Sequence, residues 1–206
     1  MGIFEEGLTR LEIVATAEQL KKIETYINEL ILWNKKLNLI SSTMHDEIII
    51  RHILDSLSGL KAIGSLPGTS IADVGSGAGL PGILLAIFLE NKNVSLIERS
   101  GKKAGFLRST AAVLGLRDRV EIIERDLREV DMKYDTVVFR AFRQFADFLP
   151  MLRRITAERG RIAAYKGRIE IVKNELKAAG IAESGAEIVR LEVPFLDEQR
   201  NLVVLS

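Results

Sequence analysis

Cysteine is absent from the 206 residues of this chain. The absence excludes disulfide bonds, thiolate metal sites and a cysteine nucleophile, and it fits a reducing compartment such as the cytoplasm. Histidine is scarce as well, because the sequence contains only His45 and His52. No acidic cluster accompanies them at the spacing of metal ligands, so we expect no metal site.

Long apolar runs are also lacking. The longest, Ile83–Leu89, is far shorter than the ~20 residues that a membrane-spanning helix needs. The sequence does not open with a basic stretch followed by an apolar one, as an export signal would. Its composition, with 47% apolar and 28% charged residues, is ordinary for a globular protein. We therefore expect a cytoplasmic protein without membrane contact, and a monomer because the surface is mostly polar.

The chain has little net charge, only +1, but the charge is unevenly distributed. The segment 140–168 holds eight bases against Asp147 and Glu158. A local basic surface can bind a phosphate backbone without a high overall charge. Solvated helix positions would give the same count, so both interpretations stay open.

The hydrophobic pattern changes along the chain. Helical spacing predicts one amphipathic helix over Ala17–Leu37 and another over Asp46–Leu60. Short β-rich runs then alternate with helical stretches, which predicts βαβ units and a mostly parallel sheet covered on both faces. The predicted strands are Ile71–Val74, Val94–Ile97, Val120–Ile123, Thr136–Phe139 and Arg161–Tyr165.

The tail has two further strand-like runs, Ile188–Val193 and Leu202–Leu205, close together in sequence. They predict an antiparallel pair at the edge of the sheet. No linker rich in Pro, Gly or Ser separates the helical beginning from the rest. We therefore expect a helical extension, residues 1–66, packed on an α/β core, residues 67–206.

The strongest local signal is the glycine-rich segment Asp73–Gly82, which follows a predicted strand and opens a helix. Glycines are needed where the backbone turns tightly and a ligand approaches the main chain. The spacing of Gly77, Gly79 and Gly82 matches dinucleotide-binding loops. The register that starts at Asp73 instead resembles the first motif of class I methyltransferases, which binds S-adenosylmethionine.

Two acids support a nucleoside-containing cofactor. Glu98 ends the next strand and could accept both ribose hydroxyls, a role that both ligand classes share. Asp126 follows the third strand, where methyltransferases commonly place an acid near the adenine. Together these features favour an α/β fold of the class I methyltransferase type, with a Rossmann-like sheet, over a nicotinamide enzyme.

Chemistry narrows the choice of the atom that accepts the methyl group. Methylation at pyrimidine C5 normally uses a cysteine, which this chain lacks. The segment Phe139–Phe142 has no Asn/Asp-Pro-Pro-aromatic motif, so amino methylation of the adenine-N6 type is disfavoured. Guanine N7 already exposes a lone pair, so the enzyme only has to align it with the methyl group and exclude water. Other acceptors would also fit.

Six segments, spread over nearly the full length of the chain, match one known family: Trp33–Leu39, Arg51–Leu57, Asp73–Gly82, Arg140–Phe142, Lys166–Gly167 and Arg200–Val203. With them the chain resembles the RsmG family, also called glucose-inhibited division protein B. The resemblance implies methyl transfer to N7 of guanosine 527 of 16S ribosomal RNA, with that RNA or the small ribosomal subunit as partner.

The site residues are expected as follows. The candidates for contact with S-adenosylmethionine are Asp73, Gly75, Gly77, Gly79, Leu80, Glu98, Asp126, Leu127, Arg128 and Arg140. Arg140 is also the candidate catalytic residue, because the resemblance implies that it faces the active site. The candidates for RNA contact are His52, Asp55, Arg143, Arg153, Arg154 and Lys166. After the third strand the chain departs from the family's usual Arg-Ala-Glu triplet.

Three rival functions remain. A methyltransferase acting on a small molecule or another RNA would share the loop, although the basic segment 140–168 weighs against a small substrate. A nicotinamide-dependent oxidoreductase would bind NAD in place of S-adenosylmethionine, but the sequence shows no evident Tyr-Lys or His pair for hydride transfer. A binding module that has lost activity would not be expected to retain the loop, Glu98 and Arg140.

Overall fold

A computed structural model of the chain describes residues 2–140 and 145–206. Within these residues one seven-stranded sheet has the order β3-β2-β1-β4-β5-β7-β6. The strands are β1 (Ser70–Val74), β2 (Asn93–Ile97), β3 (Val120–Ile123), β4 (Tyr134–Arg140), β5 (Thr156–Lys166), β6 (Ala186–Leu191) and β7 (Arg200–Leu205).

The first five strands run parallel, and β7 alone runs antiparallel to its neighbours β5 and β6. The expected mostly parallel sheet with a C-terminal antiparallel pair at its edge is therefore confirmed. The two last strands begin two residues earlier than the sequence predicts. Pairing along the sheet sets these ends, because the first residue of β7, Arg200, lies opposite Leu191 of β6.

Helices cover both faces of the sheet, as the β-rich alternation predicts. One face packs against α1 (Ile3–Arg10), α2 (Ala17–Leu37), α6 (Gly82–Phe88) and α7 (Gly101–Val113). The other face packs against α8 (Phe145–Ile155) and α9 (Ile169–Ala178). Burial of alternate strand residues on opposite faces gives two apolar cores with the sheet between them.

Helix α2 has the predicted bounds because both of its ends are specified locally. The Thr16 hydroxyl accepts a hydrogen bond from the Gln19 amide at 3.2 Å, and the Gln19 side chain accepts one from the Thr16 amide at 3.0 Å. This capping box satisfies amides that lack partners at a helix start. Asn38 ends the helix in the left-handed region, with φ of 47°.

The prediction of a second helix over Asp46–Leu60 is wrong about where the helix ends and about its being one continuous α-helix. It comprises α3 (His45–Ile48), π-helical turns over Ile49–Leu54 and α4 (Asp55–Leu57), and a separate helix α5 (Leu60–Gly64) follows. The break coincides with Gly59, where a Cβ would collide with the hydroxyl group of Tyr165 on β5. Close approach of the sheet therefore requires a glycine here.

The helical beginning and the sheet share one apolar core, which contains Leu30, Ile53 and Leu57 together with Ile71 and Val138. The division at residues 66 and 67 stays a prediction. No helix in residues 2–140 and 145–206 is both long and apolar enough to cross a membrane.

Candidate active site

The glycine loop, residues Gly75–Gly82, leaves the carboxyl end of β1 in a conformation that depends on glycine. Gly75, Gly77 and Gly79 have φ angles of 69°, 52° and 85°, in the left-handed region that residues with a Cβ rarely adopt. The amides of Gly75 and Ser76 donate to the Ile97 carbonyl at 2.9 and 3.2 Å. These bonds anchor the loop to the end of β2.

Asp73 lies behind the loop and is 1% exposed. One carboxylate oxygen, Oδ2, accepts a hydrogen bond from the Gly82 amide at 3.0 Å, which ties the two ends of the loop together. The other, Oδ1, is buried without a partner among the described residues. Burial raises the pKa of Asp73 to about 7, against the opposing effects of the Gly82 amide and the Arg140 charge. An unpartnered buried carboxylate oxygen is suited to a cationic ligand group.

Glu98 directly follows β2 and joins the loop from the other side. Its Oε2 accepts from the Gly77 amide at 3.0 Å and its Oε1 from the Ser100 amide at 2.8 Å. The side chain is buried at the back of an open cleft. A carboxylate held by two amides in this way has its oxygens oriented for hydroxyl groups that enter the cleft.

The loop cleft, as we call this space of about 470 Å³, collects most of the predicted cofactor residues. Its lining includes Gly75, Gly77, Glu98, Asp126, Leu127 and Arg128. Asp126 caps a short 3₁₀ helix, Leu127–Glu129, and pairs with Arg128 through two hydrogen bonds of 2.8 and 3.0 Å. The hydrogen bonds from Arg128 hold the pKa of Asp126 well below its usual range.

Gly79 and Leu80 take a different position. A Cβ on Gly79 would lie 2.7 Å from Ile83 and 3.1 Å from Leu107, and Leu80 is buried in the core. Both residues belong to the side of the loop that packs against α6 and α7. Their contact with a cofactor stays a prediction.

A second group of polar residues, the Asp55 cluster, lies at the end of β4. It consists of His52, Asp55, Arg140 and Arg200. Arg140 Nη1 donates to the His52 carbonyl at 3.3 Å and lies 3.8 Å from Asp55 Oδ2. The same Asp55 oxygen accepts from Arg200 Nε at 3.2 Å. The cluster thus joins the π-helical segment to β4 and β7.

The side chains of the cluster are mostly buried, which determines their ionisation. Burial raises the pKa of Asp55, and the charges of Arg140 and Arg200 partly offset this rise. Asp55 Oδ1 has no partner among the described residues. Burial, with Arg140 and Arg51 nearby, lowers the pKa of His52 to about 4, and its Nε2 lies 3.2 Å from the Ser42 hydroxyl. His52 is therefore neutral at neutral pH.

Two tyrosines and Arg200 were missed as site residues by sequence reasoning. Tyr26 donates to the Ala78 carbonyl in the glycine loop at 2.7 Å, and Tyr165 donates to the Ser56 carbonyl at 2.6 Å. The first bond connects α2 to the glycine loop, and the second connects α4 to β5. Arg200 starts the matching segment Arg200–Val203, so the resemblance contained a signal for it.

The other RNA candidates are scattered. The Lys166 side chain is 9% exposed, with Nζ 2.6 Å from Glu175 Oε2 and 4.5 Å from the centre of the Phe145 ring. Arg154 pairs with Asp131 at 2.6 Å and donates to the Leu127 carbonyl at 2.8 Å, so it braces the 3₁₀ helix. Arg153 is exposed, and Arg143 lies outside the described residues. Their contact with RNA stays a prediction, and the geometry of Lys166 does not favour it.

No group of three or more histidine, aspartate or glutamate side chains in residues 2–140 and 145–206 is arranged to hold a metal ion. The described side chains instead form two adjoining polar sites. The loop cleft presents glycine backbone and carboxylates, and the Asp55 cluster presents guanidinium groups and a neutral imidazole.

Comparison with known proteins identifies similar chains. The family model described as rRNA small subunit methyltransferase G matches residues 19–203. A ribosomal RNA small subunit methyltransferase G of Borrelia hermsii is 37% identical over 206 residues, which is 100% of this chain and 99% of the relative. One of Methylobacillus flagellatus is 38% identical over 203 residues, covering 98% and 95%.

Among solved structures, the magnesium protoporphyrin IX methyltransferase of Synechocystis with bound S-adenosylmethionine has a TM-score of 0.59. The match covers 94% of this chain and 99% of that one at 18% identity. At this identity the likeness shows the fold alone, and it confirms the expected Rossmann-like methyltransferase fold.

Proposed function

The chain belongs to the family of rRNA small subunit methyltransferase G, and from this we propose that it methylates a guanine of 16S ribosomal RNA at N7, at position 527. The observation that carries the proposal is the match of residues 19–203, since the family's name gives the reaction type and the RNA. The guanine atom and its position follow from the motif resemblance. The cytoplasm is then the proposed location, with 16S RNA or the small subunit as partner.

The loop cleft fits S-adenosylmethionine, which, when bound, supplies an electrophilic methyl group on a positively charged sulfur. Glu98 would hold the ribose hydroxyls, and Leu127 would pack on the adenine beside Asp126. Asp73, with its unpartnered Oδ1, would face the cationic ammonium group. Gly75 and Gly77 leave the main chain open to the ligand, since neither carries a Cβ.

The residues near the end of β4 suit an acceptor that needs no deprotonation. Guanine N7 already has a lone pair, so the chain has only to align the base and exclude water. His52 is neutral at neutral pH, and its Nε2 is already engaged with Ser42. We assign it no role as a base.

Arg140 is the residue best placed to position the base. Within the described part of the chain, its Nη1 alone contacts protein acceptors, at His52 and Asp55. The remaining N–H groups of the guanidinium are available to guanine O6, a frequent arginine partner. A hydrogen bond to O6 would orient the base and leave N7 free.

The test is transfer of tritium from labelled S-adenosylmethionine to 30S subunits and to protein-free 16S RNA. Both substrates come from a strain that lacks the endogenous methylation, and the modified nucleoside is identified by mass spectrometry. We expect 7-methylguanosine at one site, and no label in RNA that already carries the modification. Preference for one substrate would show at which stage of assembly the enzyme acts.

Two results would contradict the proposal. Cofactor binding without label in RNA would favour a small-molecule methyltransferase. Binding of NAD in place of S-adenosylmethionine, measured by equilibrium dialysis, would favour an oxidoreductase.

A further inference from the structure

The charges around the loop cleft differ between its interior and its edge. Inside, Glu98 is acidic, and the buried Asp73 lies behind the glycine loop. At the edge, Arg99 and Arg125 are exposed and Lys103 is half-buried, and all three line the cleft. We call these three cations the basic rim.

The basic rim lacks direct ion pairs within the described part of the chain, although the charge of Arg99 acts on Asp126 at longer range. None of its three side chains forms an ion pair with any described residue, whereas the neighbouring Arg128 is paired with Asp126 at 2.8 Å. Arg99 follows β2 and Lys103 lies in the first turns of α7, while Arg125 follows β3. Because β2 and β3 are adjacent parallel strands, their carboxyl ends bring these segments to one edge of the sheet.

The cofactor does not account for three unpaired cations at this place. The adenosine part of S-adenosylmethionine, which Glu98 and Asp126 would hold beside these cations, has no charge. The charges of its ammonium and carboxylate groups cancel, and its sulfonium is positive, so the cofactor is a cation overall. Cations beside such a ligand repel it or leave it unaffected. A partner with several negative charges is complementary to the basic rim, whereas the cofactor is complementary to the acidic interior.

We propose that the basic rim of Arg99, Lys103 and Arg125 binds phosphates of the RNA strand that flanks the target guanine. The inference rests on the proposed function and adds to it the surface that the RNA backbone follows. The strand would cross the open side of the loop cleft, beside the Asp55 cluster where the base would enter. Lysine and arginine contacts of this kind position the RNA without reading its sequence.

The test compares two triple variants with equal loss of charge. The rim variant carries Arg99→Ala, Lys103→Ala and Arg125→Ala. The control carries Arg190→Ala, Lys173→Ala and Lys177→Ala, which removes three exposed cations away from the loop cleft and outside segment 140–168. For wild type and both variants we would measure KM and kcat with 30S subunits at several salt concentrations, and the Kd of S-adenosylmethionine by calorimetry.

For the rim variant we expect KM for the 30S subunit to rise about 10- to 100-fold at physiological salt. The slope of log KM against log salt should fall by about 2, because each phosphate contact releases counterions. Cofactor affinity should stay within about twofold or become tighter, since cations near a cationic ligand have been removed. The control variant should behave as the wild type does.

Two outcomes would overturn the inference while the proposed function stands. In the first, the rim variant has the same KM and salt slope as the control. In the second, cofactor affinity falls while KM for the subunit is unchanged, which would assign the basic rim to the cofactor. A wild-type enzyme that labels no RNA would instead refute the proposed function itself, so the two failures are distinguishable.

Discussion

The loop cleft and the Asp55 cluster occupy neighbouring positions at the carboxyl ends of the parallel strands, yet they are built differently. The loop cleft is lined mainly by short segments at the ends of β1, β2 and β3, and the glycine loop at the end of β1 is fixed to the second of them by Glu98. The Asp55 cluster joins residues 88 apart, Arg140 and His52, and residues 145 apart, Arg200 and Asp55. The first depends on backbone conformation and the second on side-chain charge.

This difference indicates how each region should respond to change. A cleft made from left-handed glycines is sensitive to a Cβ at any of them, because strain and lost space act together. A cluster of four polar side chains can lose one member and keep part of its pairing, since Asp55 has two cationic neighbours. Variants in the two regions should therefore separate cofactor binding from turnover.

The largest effect is expected for Gly75→Val. A β-branched residue at φ of 69° is strained, and its side chain would project where the ligand approaches. We expect the protein to fold but to bind S-adenosylmethionine about 100-fold more weakly, equal to roughly 2.7 kcal/mol. Calorimetry measures the affinity and circular dichroism checks the fold. Unchanged affinity would place the cofactor elsewhere.

An intermediate effect is expected for Arg140→Ala. Asp55 keeps Arg200 as partner, so the free energy of unfolding should fall by only about 1–2 kcal/mol. Turnover should fall roughly 10- to 100-fold, because the base loses its positioning group. Urea denaturation and single-turnover methyl transfer measure the two quantities.

The matched control is Arg140→Lys, which keeps the charge but loses the forked geometry. Compared with Arg140→Ala, this variant should recover more of the free energy of unfolding than of the turnover rate. Full activity in the Arg140→Ala variant would remove this residue from the active site.

Asp73 gives the smallest expected effect on cofactor affinity, and its ionisation also makes stability depend on pH. Its pKa of about 7 in the folded chain lies above the ordinary 3.8, so the native state holds this proton more tightly than the unfolded chain. The contribution of Asp73 to stability should therefore decline as pH rises from 3.8 to about 7 and stay level above that. Urea denaturation across this range tests the stability effect.

The same carboxyl should tighten cofactor binding as it ionises, because the ligand is cationic. Between about pH 6 and pH 7.5 we expect affinity to rise roughly three- to tenfold. The Asp73→Asn variant should lose this dependence. If its affinity follows pH as the wild type does, another group is responsible.

Prediction from sequence succeeded where structure is set by nearby residues. The α2 helix has its capping box at Thr16 and its left-handed end at Asn38, both readable locally. The order of β-rich runs correctly predicted the mostly parallel sheet. The predicted end of the second helix was wrong, because the contact of Tyr165 with Gly59 depends on a strand more than 100 residues later in the chain.

The candidate site divides in the same way. The sequence marked Glu98 and the glycine loop, and the structure brings them to one cleft. It also marked Lys166 for RNA contact, which stays a prediction, and the structure pairs this mostly buried side chain with Glu175 beside the Phe145 ring. The exposure of Lys166 depends on how α8 and α9 pack at the end of β5, which the sequence around this residue does not specify.

By itself, the sequence determined the glycine loop, the alternation of strands and helices that supports it, and the family to which the chain belongs. These rest on local conformation: a φ that favours glycine, an alternation of apolar residues, and an acid at a strand end. Only the tertiary structure decided which charges meet. Asp55 finds Arg140 and Arg200, while Arg99, Lys103 and Arg125 stay unpaired among the described residues, because the folding of distant segments against the sheet sets those distances.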